Sequence, residues 1–264
     1  MSTPCCSAEK PQFNEKIQAI HDFYTSAAKD AGPYATGNAK FSPSGPTDKI
    51  IELANELKSE VVLDLGCGMG GSAIRVSEEV RSSTKVVGID FVAEMIEKAN
   101  ATLAEAEQSI QDKTSFYVND VHSAPYFDST FDLIFSECVL NLTDNRMEVI
   151  SNAYRMLQKG GYFIYTDFVS FADTPDSIKE NLKLVSGCRA GSVPLSQNIS
   201  ELESIGFEHL EIFNFTDDKN KRYEELRAES ETMRSEWDKF VAEHPETAEF
   251  LENKIGYYVI MAKK

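Results

Sequence analysis

The sequence predicts an α/β fold, a mostly parallel sheet with helices on both faces, on three observations. Short apolar, β-rich runs alternate with runs of helical periodicity from Glu60 to Phe168, the pattern of strands joined by crossover helices. A glycine-rich stretch, "VLDLGCGMGG", joins the first strand to the first of those helices. Two further apolar runs, "FEHLEIFNF" and "IGYYVIMAKK", follow later and read as strands. A chain of 264 residues with 42% hydrophobic content can form one large domain, or a core with an appended cap.

Taken in order, "QFNEKIQAIHDFYTSAAKD" has the spacing of an amphipathic helix. The Gly/Pro/Ser-rich "AGPYATGNAKFSPSGP" reads as a loop that launches a short helix from Thr47, and together they look like a lid or entrance. Strands are expected at Glu60 to Leu65, Lys85 to Asp90, Thr114 to Asp120, Phe131 to Glu137 and Gly161 to Phe168. Helices are expected in "GSAIRVSEEV", "VAEMIEKANATLAEAE" and "RMEVISNAYRMLQKGG", the last stopping on its Gly-Gly pair. Beyond Phe168 the reading gives a helix from Asp176 to Val185, a loop carrying Cys188, a helix from Gln197 to Ile205, the first late strand, one long charged helix from Asp217 to Glu243, and the closing strand. That long helix has mixed charges at i, i+4 spacing and reads as a solvated cap.

Composition narrows the function. A formal net charge of −17 repels nucleic-acid phosphates and anionic lipid, so neither is an expected partner. The beginning "MSTPCCSAEK" lacks the basic-then-apolar layout of a secretory signal, and no apolar run reaches membrane-spanning length. Five cysteines without regular spacing argue for reduced thiols, so the expected location is the cytoplasm. No CxxC or HExxH spacing marks a metal site.

Gly66, Gly68, Gly70 and Gly71 sit where backbone can pass close beneath a ligand, ahead of the free N–H groups of a helix N-terminus. By itself such a loop also suits a dinucleotide fold, but those usually place two residues between the second and third glycines, and here there is one. Asp90 ends the second strand, where a carboxylate can accept both hydroxyls of a ribose. Asp120 ends the third, where "NDV" can meet an adenine, and Asp64, just ahead of the glycines, could face a cationic amino group. His122 reads as a capping or solvent-facing residue with no partner nearby in sequence.

From about Thr47 to Phe168 this arrangement of "DLGCGMGG", "GID" and "ND" resembles the class I S-adenosylmethionine-dependent methyltransferases. The resemblance implies a Rossmann-like sheet of seven strands with the last, "YYVIMAK", antiparallel. It implies S-adenosylmethionine as cofactor, held by Asp64, Gly66, Cys67, Gly68, Gly70, Asp90, Phe91, Met95, Asn119, Asp120, Val121 and Glu137. It divides the chain into an N-terminal helix and lid loop (1–46), a cofactor-binding core (47–168), and a substrate-binding cap with the last two strands (169–264).

Within such enzymes the end of the fourth strand faces the methyl group, and here that residue is Cys138. "ECVLNL", "LQKGGYFIYTDF" and then "GC" with "AG" behind it resemble the arsenite methyltransferases. Cys138 and Cys188 match that family's two arsenic-binding thiols, so arsenic is expected as substrate and not as a resident metal. Tyr24 matches, loosely, an aromatic near the site. Trivalent arsenic is soft and pyramidal, and two thiolates would hold it with its lone pair exposed as the nucleophile. The sequence departs from the family in its other cysteines: none follows "FYTSAAKDAG", Cys67 lies inside the glycine loop as packing, and Cys5 and Cys6 precede the first helix. A third arsenic ligand would come from glutathione, Cys5 or Cys6, and a reducing thiol such as glutathione or thioredoxin would reset the site.

Other readings stay open at this point. A lone cysteine at a strand end also packs as a small buried apolar residue. "GCGMGGSA" also resembles small-molecule N-methyltransferases acting on glycine, sarcosine or phosphoethanolamine, for which Tyr24, Tyr34 and Glu137 could serve. A metalloid-binding module without catalysis is a third possibility.

Overall fold

The computed structural model describes residues 13–29, 44–81, 84–181, 184 and 187–264. Cys5, Cys6, Tyr34 and residues 31–43 of the expected lid loop lie outside the described residues.

The elements are α1 (Glu15–Lys29), α2 (Ser44–Leu57), β1 (Val61–Leu65), α3 (Gly71–Glu79), β2 (Lys85–Asp90), α4 (Ala93–Ala104), α5 (Gln108–Gln111), β3 (Thr114–Val118), β4 (Phe131–Glu137), α6 (Arg146–Met156) and β5 (Leu157–Ser170). There follow α7 (Asp176–Lys179), β6 (Val193–Pro194), α8 (Leu195–Ile205), β7 (Glu208–Asn214), α9 (Thr216–Glu229), α10 (Glu231–Glu243), α11 (Pro245–Asn253) and β8 (Ile255–Lys263). The sheet runs β3-β2-β1-β4-β5-β8-β7, with the two-residue β6 beside β5. β1 to β5 are parallel, and β8 is antiparallel to both its neighbours. The expected α/β class and the antiparallel closing strand are therefore observed.

Alternation along the strands builds the two faces. Val62, Phe135 and Ile164 point into a core with α2, α3 and α4. Their neighbours Leu63, Ile134 and Phe163 point into a second core with α6 and α8. Strands buried on both sides have no polar face to show, which is why they read as continuous apolar runs.

Four expectations are corrected. The helix before β1 starts at Ser44, not Thr47. α6 ends at Met156, and the stretch expected to finish it is already strand: Leu157 pairs with Phe131, and Gly160 takes φ +81° in a bulge before Tyr162 pairs with Leu133. The long charged helix is two helices, because Ser230 leaves the helical conformation and its side chain accepts from Met233 N at 3.2 Å, capping α10. α11, which begins with Pro245 at its first position, was not foreseen. Of the helix expected from Asp176 to Val185, Asp176–Lys179 is helical, as is Leu184.

The segment after β5 is seated on the end of β4 by a buried polar network. Asn141 donates its backbone N–H to Asp167 Oδ2 (3.0 Å) and its side-chain amide to Phe168 O (2.8 Å), and accepts from Arg146 (2.8 Å). Arg146 also donates to Asn198 Oδ1 (2.7 Å) and Glu201 (3.1 Å), tying in α8. Gly191 passes so close above that a Cβ there would lie 1.9 Å from Asn141 O. Burial, only partly offset by Arg146 and two backbone N–H donors, pushes the Asp167 carboxyl up to about 7.

Two outcomes follow. Gly191→Ala should lose at least about 2 kcal/mol of stability in urea denaturation, while Gly187→Ala, whose Cβ would sit 3.4 Å from Leu184 O, should lose under about 1 kcal/mol. Because its native pKa is raised, Asp167 contributes stability below the ordinary carboxylate range that is lost as pH rises toward 7. Its carboxyl ¹³C resonance should titrate near pH 7, and a midpoint in the ordinary carboxylate range would contradict the burial assigned here.

Candidate active site

The loop between β1 and α3 turns back on itself with Gly66, Gly68 and Gly70 at φ +78°, +52° and +78°. Gly66 is also a close approach, since a Cβ would lie 2.3 Å from Val139 Cγ2. Gly68 differs: a Cβ there would meet nothing within 4 Å, because its backbone faces an open cleft. Asp90, at the end of β2, holds the loop by accepting from Gly68 N and Val92 N, both at 2.9 Å. Burial raises its pKa, and those backbone bonds pull the other way.

The cleft has a volume of 500 Å³ and is lined by Asp64, Gly66, Cys67, Gly68, Asp90, Phe91, Met95, Asp120, Val121 and Glu137 among others, gathering most of the expected cofactor residues in one place. Two expected residues do not line it. Gly70 packs behind the loop, where a Cβ would lie 2.6 Å from Phe116 Cζ, and Asn119 donates its backbone N–H to Asp90 O at 3.0 Å. Glu137 accepts from Thr47 Oγ1 (2.6 Å) and from Ser72 Oγ. Cys67 lies against β2, where burial first, then Asp64 and Asp90, push its thiol well above the usual range.

His122, expected to have no partner nearby in sequence, has one two residues away. Its Nδ1 is 2.8 Å from Asp120 Oδ1, and this bond lowers the pKa of Asp120 and raises that of His122. Across the cleft lies α1. Asn14 and Lys16 reach Asp144 and Thr143 O at one end, and Lys29 meets Glu94 on α4 at 3.0 Å at the other. Phe13 and His21 pack with Phe91, ring centroids 5.9 and 5.7 Å from it. Phe13 and His21 were missed because Phe13 stands ahead of the helix and a ring on an amphipathic helix reads equally well as ordinary core.

Cys138 and Cys188 come together. Cys188 Sγ donates to Cys138 O at 3.1 Å, and the two thiols share a hydrogen bond that, ahead of burial, pushes Cys138 well above the usual thiol range. Both residues hold left-handed backbone, φ +57° and +62°, a conformation costly for non-glycine residues and frequent at working sites. Tyr24 Oη is 3.8 Å from Cys188 Sγ. Buried Tyr257, on β8, places its hydroxyl 3.0 Å from Cys138 Sγ and 2.8 Å from Thr166 Oγ1, a contact invisible in a sequence where they stand far apart. A second chamber of 670 Å³ opens beside the thiols, roofed by α9, α10 and α11. Cys138 and Tyr24 line both cavities, so they form the wall between them.

A sheet of this order with a glycine loop and a terminal acid defines a class: the chain belongs to the methyltransferase domain family, which matches residues 56–230. More particularly, it is similar to the arsenite methyltransferase of Halobacterium salinarum, 31% identical over 79% of this chain and 50% of that protein. The chain spans about half the length of that relative and of the similar human arsenite methyltransferase, of which it covers 44% at 26% identity. Its fold is shared with a phosphoethanolamine N-methyltransferase from Haemonchus contortus (TM-score 0.73, 19% identity, 97% of this chain and 61% of that one). It is shared too with an arsenic(III) S-adenosylmethionine methyltransferase from Chlamydomonas reinhardtii (TM-score 0.54, 22% identity, 77% and 62%). The methyl donor of this family is S-adenosylmethionine, and the cleft fits it: open backbone at Gly68, a carboxylate at Asp90, apolar walls at Met95 and Val121, and a buried carboxylate at Asp64.

Because Cys138 is held as a thiol, its alkylation by iodoacetamide, followed by peptide mass spectrometry, should still be accelerating at pH 9. Tyr257→Phe, which removes a donor to Cys138 Sγ, should slow labelling at any given pH. A plateau below pH 8 would show that the thiol is not raised.

Proposed function

We propose that the protein is an S-adenosylmethionine-dependent methyltransferase whose acceptor is trivalent arsenic bound by Cys138 and Cys188. One observation carries the reading: Cys188 Sγ sits 3.1 Å from the carbonyl oxygen of Cys138, and Cys138 lines both the donor cleft and the second chamber. Likeness to arsenite methyltransferases supports it.

The residues act in order. Cys138 and Cys188 replace two oxygens of arsenite, forming two As–S bonds as two As–O bonds break and two waters leave. When bound, S-adenosylmethionine supplies an electrophilic sulfonium methyl, for which the lone pair of thiol-bound arsenic is a suitable nucleophile. Asp90 and the glycine loop hold the donor side, and Asp64 faces its cationic end. Tyr24 and Tyr257 fix the thiols, so that catalysis rests on positioning more than on proton transfer. Methylation oxidises arsenic from trivalent to pentavalent, and the cysteine pair can return two electrons by closing a disulfide, which an external dithiol such as reduced thioredoxin then reopens. In this scheme 1–46 is the N-terminal helix with the lid loop, 47–168 the donor-binding core and 169–264 the acceptor cap with the last two strands.

A second reading has one observation in its favour: Tyr223, Trp237, Glu224 and Glu236 line the chamber, and aromatic rings with carboxylates suit a small amine. The same assay separates the two. With S-adenosylmethionine and a thiol present, arsenite should yield methylated arsenic, whereas glycine, sarcosine and phosphoethanolamine should not be turned over. Cys138→Ser and Cys188→Ser should each reduce arsenic methylation at least about a hundredfold, and normal turnover in both would sink the two-thiol site. Arsenite bound without turnover would make the protein a scavenger. Asp90→Ala should weaken S-adenosylmethionine binding by about 1 to 3 kcal/mol in calorimetry, and unchanged affinity would remove Asp90 from the donor site.

A further inference from the structure

The second chamber holds more than the proposed reaction with arsenite needs. Its 670 Å³ is within the range of pockets for organic ligands, whereas an arsenic oxyacid is only a few water molecules in size. Its wall also carries three cations, one of which is paired with a carboxylate. Arg227 pairs with Glu252 at 2.8 Å. Lys219, only 3% exposed, donates to Ile255 O at 2.7 Å, and Arg189, next in sequence to Cys188, lies over the Tyr223 ring at 5.4 Å. Among the described residues neither Lys219 nor Arg189 has a carboxylate within salt-bridge distance. A buried ammonium has three protons to place, and one carbonyl accepts one of them. Burial first, then the nearby Arg189, lower the Lys219 pKa to about 8 against a smaller opposing effect of Glu252, a cost that an anion between the two cations would offset further.

We propose that Arg189 and Lys219 form a carboxylate subsite, which takes an acid group carried on the third substituent of trivalent arsenic. This rests on the arsenic reading above. Pyramidal arsenic has three positions; Cys138 and Cys188 fill two, and the third substituent extends into the chamber toward the cations. That substituent is a carboxylate-bearing thiol or a carboxylate-bearing group bonded through carbon. In the first case two As–S bonds exchange, and the cysteine protons leave with the two displaced thiols. In the second, an arsenoxide oxygen leaves as water as two As–S bonds form.

Trp237 is the one tryptophan of the chain and lines the chamber, so its fluorescence reports occupancy without turnover. The full chain would be titrated with arsenite pre-equilibrated with 3-mercaptopropionate or with 2-mercaptoethanol. Phenylarsine oxide with and without a ring carboxylate forms the second pair. The acidic member of at least one pair should bind about tenfold or more tighter, and the pair that shows it identifies the source. Arg189→Gln should abolish that preference, and Arg189→Lys should keep part of it. Equal affinities in both pairs, or a preference that persists in Arg189→Gln, overturn the subsite and leave the thiol pair standing. Failure of every arsenical to bind overturns both.

Discussion

The passage of Gly191 over the carbonyl of Asn141 is the contact on which the rest of the site depends. The approach leaves no room for a Cβ, and Asn141 is itself held from three sides by Asp167, Phe168 and Arg146. Once the strand after the Cys188 loop is seated there, Val193 and Pro194 can pair with the upper end of β5, and Cys188 is carried onto Cys138. A buried network of this kind is favourable only when fully paired. Here nearly every polar atom of Asn141, Arg146 and Asn198 has a partner, so the loop geometry is specified and not merely permitted.

The two halves of the site solve different electrostatic problems. On the donor side, carboxylates at Asp64, Asp90 and Glu137 line a cleft that fits a cationic ligand, and backbone N–H groups make a charged Asp90 less costly than burial alone would make it. Beside the second chamber, hydrogen bonding with Cys188 and then burial hold Cys138 as a thiol, which lowers its reactivity toward general alkylation and oxidation. α1 lines the first half and supplies Tyr24 to the second, so one helix borders both.

Much of the fold was legible because its signals are local. Glycines before α3, apolar runs at β1 to β5, and an acid at the end of β2 fall where strand periodicity puts them. Errors arose where a local signal had two meanings. Gly160 and Gly161 read as a helix stop but form a bulge, and charge alternation hid the break at Ser230, whose capping role depends on a backbone turn. Within the site, Asp90, Gly68 and Phe91 could be named from their positions at strand ends. Tyr257 and Phe13 could not, because each acts through a neighbour far away in the chain, whereas Asp120 stands two residues from His122 and that pair was overlooked.

By itself the sequence determined the class of sheet, the location of the donor loop, and the two cysteines to watch. Those properties follow from residue type at short range: backbone freedom at glycine, hydrogen-bonding capacity at a strand-end acid, and the softness of sulfur. Only the tertiary structure decided that Cys138 and Cys188 meet, that both adopt left-handed backbone, and that Cys138 and Tyr24 stand in the wall between two cavities. The reason is that the pairing is made by neither cysteine. It is made by a glycine and an asparagine elsewhere in the two segments, through a backbone contact that no side-chain pattern announces.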